Sequence, residues 1–300
     1  MEAWIGLTIA AAFFQNLRSS LQKSLQKELG TNGATFVRFL FGAPIALVFF
    51  GAWLLVSPEA MPTPNASFAL WALVGGTSQI LATAALLSSF RERNFAAGTA
   101  YSKTETLQAA LFGLVLLGDT VSPTGLLAMA LGVVAVLILT IGKEALRPAL
   151  WASVVRDRGA MLGLLAGSCF GIAAICYRGA GLALGSGDFF LRALFTLACV
   201  ISFQVLLMGS VLAWREPGTL RAVARRWQRG ALVGIAGALA SAGWFSSSLL
   251  VNAAYVRALG QVEILFALGT AILVFGERLA PREWFGILLL LASLILLLVA

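Results

Sequence analysis

Apolar stretches of about twenty residues follow one another along the whole chain, separated by short polar breaks. Ten can be drawn, running approximately Trp4 to Leu25, Thr35 to Leu55, Phe68 to Leu87, Ala97 to Leu117, Gly125 to Ile141, Gly159 to Tyr177, Phe189 to Trp214, Ala231 to Val251, Ala258 to Gly276 and Trp284 to Val299. At a rise of about 1.5 Å per residue, twenty helical residues cross a hydrocarbon core of about 30 Å. The runs are continuous rather than alternating, so they read as helices and not as barrel strands. Glu2 stands where a signal peptide carries basic residues, and Gln15, Asn16 and Arg18 interrupt the first run. The first segment is therefore expected to stay as a span.

Composition turns this pattern into a fold class. Hydrophobic residues make up 60% of the chain and charged residues 11%, with a mean hydropathy of +0.92. A water-soluble domain has no room to bury so much apolar surface. The expected fold is an all-α integral membrane protein with ten transmembrane helices. Breaks after the odd-numbered segments, counted with Lys23 at the end of the first segment, hold 15 of the 21 basic residues, whereas those after the even-numbered segments hold only Arg178 and Arg257. The positive-inside rule makes the first set cytoplasmic, with both termini facing outward across the cytoplasmic (inner) membrane. Membrane lipid then accounts for the net charge of +8, and the densest basic cluster, Arg221 to Gly230, reads as a cytoplasmic surface segment. No nucleic-acid partner is needed.

The chain also repeats itself. "ETLQAALFGLVLLGDTVSP" aligns with "EILFALGTAILVFGERLAP", so that Glu105, Gly118, Asp119 and Pro123 fall on Glu263, Gly276, Glu277 and Pro281 at one offset of 158 residues. Gly6 and Phe13 meet Gly163 and Phe170 at almost the same offset. This divides the chain into a five-helix unit over 1–142, a cytoplasmic connection over 143–158, and a second five-helix unit over 159–300. Because five is odd, the second copy enters the membrane from the opposite side, and the repeats are inverted. Inverted repeats are a signature of secondary transporters, whose substrate site lies near the midplane between the copies.

On "AAFFQNL", "FVRFLFGAPIALV" and above all "LVFGERLAPREWFGILLLLASLILLL", the sequence resembles the EamA-type branch of the drug/metabolite transporter superfamily over essentially its full length. The first copy departs from the pattern, carrying "GDTVSP" where the second has "GERLAP". The resemblance implies a ten-helix exporter or exchanger of amino acids and other small metabolites, with a central cavity between the halves and peripheral fifth and tenth helices.

Only two of the thirteen acidic residues, Glu105 and Glu263, lie within the predicted spans, in equivalent places of the two copies. A carboxylate at depth needs a partner or water, so both are expected to face the bundle interior. Inversion would put Glu105 toward the cytoplasm and Glu263 toward the outside, as two gates or proton-sensitive sites. The competing reading is an interfacial carboxylate paired with a nearby cation. Lys103 stands about 200° around the helix from Glu105 and could hold a substrate carboxylate, although snorkelling to the interface is the simpler reading. Tyr101 and Gln108 share the Glu105 face.

Ser241, Trp244, Ser248, Asn252 and Tyr255 form one polar and aromatic stripe at spacings of three and four. Gln15, Asn16, Arg18, Ser19 and Gln22 make the later half of the first segment too polar for lipid, and Gln79 and Thr83 do the same more weakly in the third. The expected substrate path is Gln15, Asn16, Gln79, Tyr101, Lys103, Glu105, Trp244, Ser248, Asn252 and Glu263. Arg38 and Arg192, near the starts of the second and seventh segments, read as snorkelling cations. Gly163, Gly167 and Gly171 read as a close-packing face, and Pro44 as a kink.

The chain has no histidine, no Asp-x-x-Asp spacing and no Gly-x-x-x-x-Gly-Lys-Ser/Thr loop, which argues against a membrane enzyme and against direct ATP drive. Cys169, Cys176 and Cys199 lack metal-ligand spacing, and neither metal nor cofactor is expected. The expected partners are a small-molecule substrate, protons as candidate coupling ions, and lipid. Two other readings stand beside the exporter: a non-transporting assembly or lipid-handling protein, and a facilitative exchanger of other small organic solutes.

Overall fold

A computed structural model describes residues 2–92, 101–141, 158–266, 268–269 and 281–300, and within them the described parts of the predicted apolar segments are largely helical. Among the described residues every regular element is helical. In chain order they are α1 (Ala3–Val56), α2 (Ala66–Glu92), α3 (Glu105–Leu117), α4 (Pro123–Ile141), α5 (Arg158–Ala183), α6 (Phe189–Arg215), α7 (Pro217–Arg225), α8 (Trp227–Leu250), α9 (Ala253–Leu259) and α10 (Pro281–Leu298), with a 3-10 turn at Gly260–Val262 after α9. Five of them, α1, α2, α5, α6 and α8, are long and apolar enough to cross a membrane, and α3, α4 and α10 are shorter apolar helices. The connection 143–158, and the segment 270–280 with Glu277, fall largely outside the described residues.

α1 holds the first two predicted segments. Helical turns continue through the expected break, which shrinks to one residue, Gly30, at φ +68° and ψ −179°. Only glycine reaches this region without a Cβ clash. The two arms fold back on each other: Gln22 Nε2 donates to the Ala34 carbonyl at 2.8 Å, and Gln26 Nε2 to Thr31 Oγ1 at 3.2 Å. Pro44 sits inside the second arm, while the residue that leaves helical angles in α1 is Gly30.

The chain runs between two ends of the bundle. At the basic end, Glu28 beside the Gly30 bend pairs with Arg226 at 2.7 Å and Arg229 at 3.0 Å, and Asn32 donates to Glu216 at 2.7 Å. The short helix α7 lies at this end, flanked by the exposed rings of Trp214 and Trp227. At the far end, Asn65 Nδ2 donates to the Ala183 carbonyl at 2.8 Å, and Asp188 caps α6 by accepting from the amides of Phe190 and Leu191 at 2.7 and 2.9 Å. Partial burial works against ionised Asp188, but those amides, with the side chains of Trp53 and Ser57, outweigh it and hold the carboxyl below the ordinary aspartate value.

Small residues set the packing. A Cβ on Gly234 of α8 would overlap the Phe41 backbone of α1, and one on Gly75 of α2 would lie 2.8 Å from the Tyr177 ring of α5. Gly167 and Gly171 of α5 let the residues around Ser102 and Glu105 approach, which is the close-packing role expected of that stripe. α4 packs chiefly against α10. The outer surface is apolar, with Leu55, Leu206 and Val115 largely exposed, while arginine, lysine and glutamate are buried within. This inside-out distribution suits a hydrocarbon surround and defines a multi-pass membrane protein.

Two outcomes check this packing. Gly234→Ala should destabilise by about 1–3 kcal/mol through overpacking, whereas Gly6→Ala, with open space around it, should not, as read by thermal unfolding of the purified protein. Asp188→Ala should cost about 1 kcal/mol at neutral pH through the lost cap. The carboxylate's contribution is present above the unfolded-state value near 4 and fades as pH falls through the lower folded-state value, so wild type and variant should converge in acid.

Candidate functional site

The helix containing Glu105 and the one containing Glu263 are both interrupted just before the glutamate. In the first copy, the helix tightens to a turn at Lys103 and Thr104, where Thr104 keeps right-handed angles and its amide and hydroxyl are both directed at the Tyr101 carbonyl. In the second, Gly260–Val262 is a 3-10 turn, and the offset of 158 residues maps Ser102–Thr104 onto it. Gly260 is needed for a second reason: its Cα packs against the Trp244 ring, which a Cβ would overlap.

The interruptions bring both glutamates to one small cavity, lined among others by Gln15, Arg18, Lys103, Glu105, Arg257 and Glu263. Lys103 Nζ donates to Glu263 Oε2 at 2.6 Å, and Gln15 Nε2 donates to the same oxygen at 3.1 Å. Arg257 Nη1 lies 3.7 Å from Glu105 Oε1, and its guanidinium stands 4.8 Å from the centre of the Trp244 ring. Trp244 Nε1 donates to Gln15 Oε1 at 2.9 Å, closing the circuit. Each glutamate is thus paired with a cation from the other copy. At an effective dielectric near 20 the gross attraction is roughly 6 kcal/mol for the shorter pair and roughly 4 kcal/mol for the longer. Lys103–Glu263 is the tighter link, and Arg257 divides itself between a carboxylate and a ring face.

The cavity measures about 20 Å³, close to the room one water needs. Phe90 lines it on one side and also lines a separate cleft of about 390 Å³ at the basic end, together with Lys23, Gln26, Lys27 and Gly30. The far end is shut by Arg178, which holds Asp119 Oδ2 at 2.8 Å and the carbonyls of Ser248 and Val251 at 2.6 and 2.9 Å. Tyr255 and Ser122 join beside it through their hydroxyls at 3.2 Å.

Several expected positions move. Lys103 and Arg38 are 5% and 4% exposed, so neither snorkels: one is held by Glu263, and the other donates to Thr83 Oγ1 at 3.2 Å. Glu105 and Glu263 occupy one chamber rather than opposite sides. The reason is a helix boundary: Asn252 accepts from the Ala254 amide and starts α9 there, so Glu263 lies eleven residues into its segment instead of five. The expected stripe breaks at the same place, since α8 ends at Leu250. Ser241, Trp244 and Ser248 are buried on α8, while Asn252 is a cap bonded to the Thr120 carbonyl.

Of the expected path, Gln15, Lys103, Glu105 and Glu263 line the cavity, and Trp244 braces it. Gln79 accepts from Gln204 Nε2 at 2.9 Å in a structural network with Tyr177, and Tyr101 packs against Ala160. Asn16 is half-buried and Ser248 buried, and neither lines the cavity. Arg257 was assigned to a loop. Its signal was the capping asparagine in "VNAAYVRAL".

A helical membrane protein with twin helix breaks around a charged interior chamber has the architecture of a carrier. The EamA-like transporter family model matches the chain twice, over residues 2–141 and 157–299, and the chain belongs to that family, whose members are transporters rather than enzymes. A protein solved by crystallography shares the fold, with a TM-score of 0.68 at 13% identity over 98% of this chain and 95% of that one. No curated protein gave a significant match.

The crossed pairs make a double-substitution cycle informative. Lys103→Met or Glu263→Met alone should cost about 3–5 kcal/mol by stranding a buried charge, whereas the double substitution should cost clearly less, as read by thermal unfolding.

Proposed function

We propose that this chain is a secondary transporter that exports small metabolites such as amino acids across the cytoplasmic membrane by alternating access. The observation that carries the reading is the matched pair of helix interruptions, one per copy, each placing a glutamate at a chamber shared by both copies. Turns that tighten or shift the helical hydrogen-bond ladder at depth are tolerated in a membrane protein only beside protein or a wet cavity. In this reading 1–142 and 159–300 are inverted five-helix units, ten spans in all, joined by 143–158, with the basic end cytoplasmic and both termini outside. Gln15, Lys103, Glu105, Glu263 and Trp244 form the path. Export proceeds by the substrate displacing the crossed pairs, with Phe90 as the inner barrier and the Arg178 cluster as the outer one.

A lateral crevice of about 570 Å³ between α1, α6 and α8 favours some lipid contact. Its lining, including Leu7, Phe14, Phe49, Trp53 and Phe190, has no charged side chain to receive a headgroup, which sets it apart from the charged chamber.

Proteoliposomes offered labelled amino acids, nucleobases and polyamines, with and without a pH gradient, should accumulate at least one class above protein-free vesicles. Glu105→Gln with Glu263→Gln should lower that flux at least tenfold. Flux indifferent to both substitutions would remove the glutamates from the mechanism, and gradient-independent exchange would make the carrier facilitative.

A further inference from the structure

The charges buried inside the bundle do not balance. Among the described residues the buried cations are Arg18, Arg38, Lys103 and Arg257, and the buried carboxylates are Glu105 and Glu263. Each carboxylate makes its ion pair with another residue, one with Lys103 and one with Arg257, and both lie near enough to Arg18 to offset part of its charge without bonding it. Four cations still share two carboxylates, and Arg18 and Arg38 make no ion pair with either. Arg18 is 3% exposed and lines the chamber, its Nη2 meets only the Ser19 hydroxyl at 3.2 Å, and its Nε has no partner. Arg38 meets the Thr83 hydroxyl and the face of Phe39, neither of which carries negative charge. The two stems are neighbours, because a Cβ on Gly237 would lie 3.4 Å from Arg38 Cγ and 3.5 Å from Arg18 Cδ.

Two adjacent guanidiniums in a low-dielectric interior repel each other, and unlike lysine they do not relieve the charge by giving up a proton. Such an arrangement is stabilised by an anion between them, and arginine's planar fork suits a carboxylate or phosphate. The approach is of the same sign, since Lys23 and Lys27 line the cleft beyond Phe90 and raise the local concentration of anions there.

We infer that the chamber takes small oxyanions of net negative charge, with Arg18 and Arg38 holding a carboxylate or phosphate group. This rests on the transporter reading and narrows it: acidic amino acids, dicarboxylates or phosphorylated metabolites are favoured over neutral zwitterions, and cations are rejected. Arg18 lines the chamber and Arg38 stands beside it across Gly237, and the two make the anion subsite, while Lys103 and Arg257 become available to a second anionic group when the crossed pairs open.

The test is ligand-dependent thermal stability of the purified full-length protein in detergent at fixed ionic strength. Succinate, L-glutamate and inorganic phosphate are compared with L-leucine and putrescine, the first three separating carboxylate from phosphate recognition. A saturable rise in Tm with at least one oxyanion, and none with leucine or putrescine, is expected. Arg18→Gln and Arg38→Gln should each raise the half-saturating oxyanion concentration at least tenfold. Without ligand, both variants should be as stable as wild type or more so, because each removes one of the buried cations in excess of the carboxylates; Arg18→Lys should keep part of the response. The inference is overturned by a shift from leucine or putrescine as large as that from the anions, by an anion response that survives both glutamine variants, by no anion response in wild type, or by glutamine variants less stable than wild type without ligand. Flux is scored apart: oxyanion binding without transport keeps the subsite and removes the carrier, whereas neutral-solute flux without oxyanion binding does the reverse.

Discussion

The crossed ion pairs at the centre of the bundle constrain the rest of the structure. A carboxylate buried alone is too costly for this interior, and the chain meets the cost by drawing the cation for each glutamate from the opposite copy. Much follows from that exchange. The helices must break where the pairs meet, small residues such as Gly167 and Gly260 must let the breaks come close, and Trp244 must cover Arg257 while anchoring Gln15.

The same logic explains why strong electrostatics coexist with a chamber that holds about one water. The pairs fill the interior between the copies with matched charge, which is why so little free volume is left there. Its closure at the far end is backbone chemistry, with Arg178 bonded to carbonyls left open where α8 stops.

Much of the fold was legible because hydrocarbon imposes a simple rule on sequence: long apolar runs become helices. Glu105 and Glu263 were legible for a second reason, the repeat, which marked them as equivalent before any contact was known. The contacts themselves were not. Lys103 and Glu263 are 160 residues apart in the chain, and nothing local announces their meeting. Arg257 was hidden by hydropathy, which ends the eighth segment and starts the ninth in the wrong places because "VNAAYVRAL" is only mildly apolar; the capping asparagine was the better guide. Arg38 was misplaced because an arginine near a predicted helix start normally reaches for the interface. Here the helix starts earlier, at the Gly30 bend, which puts Arg38 about two turns into its arm.

That bend has a mechanical consequence. With a single glycine between its arms, α1 lays both of them against α8, Ala11 at Gly243 and Phe41 at Gly234, so that displacing either arm would open a contact whose closeness depends on a missing side chain.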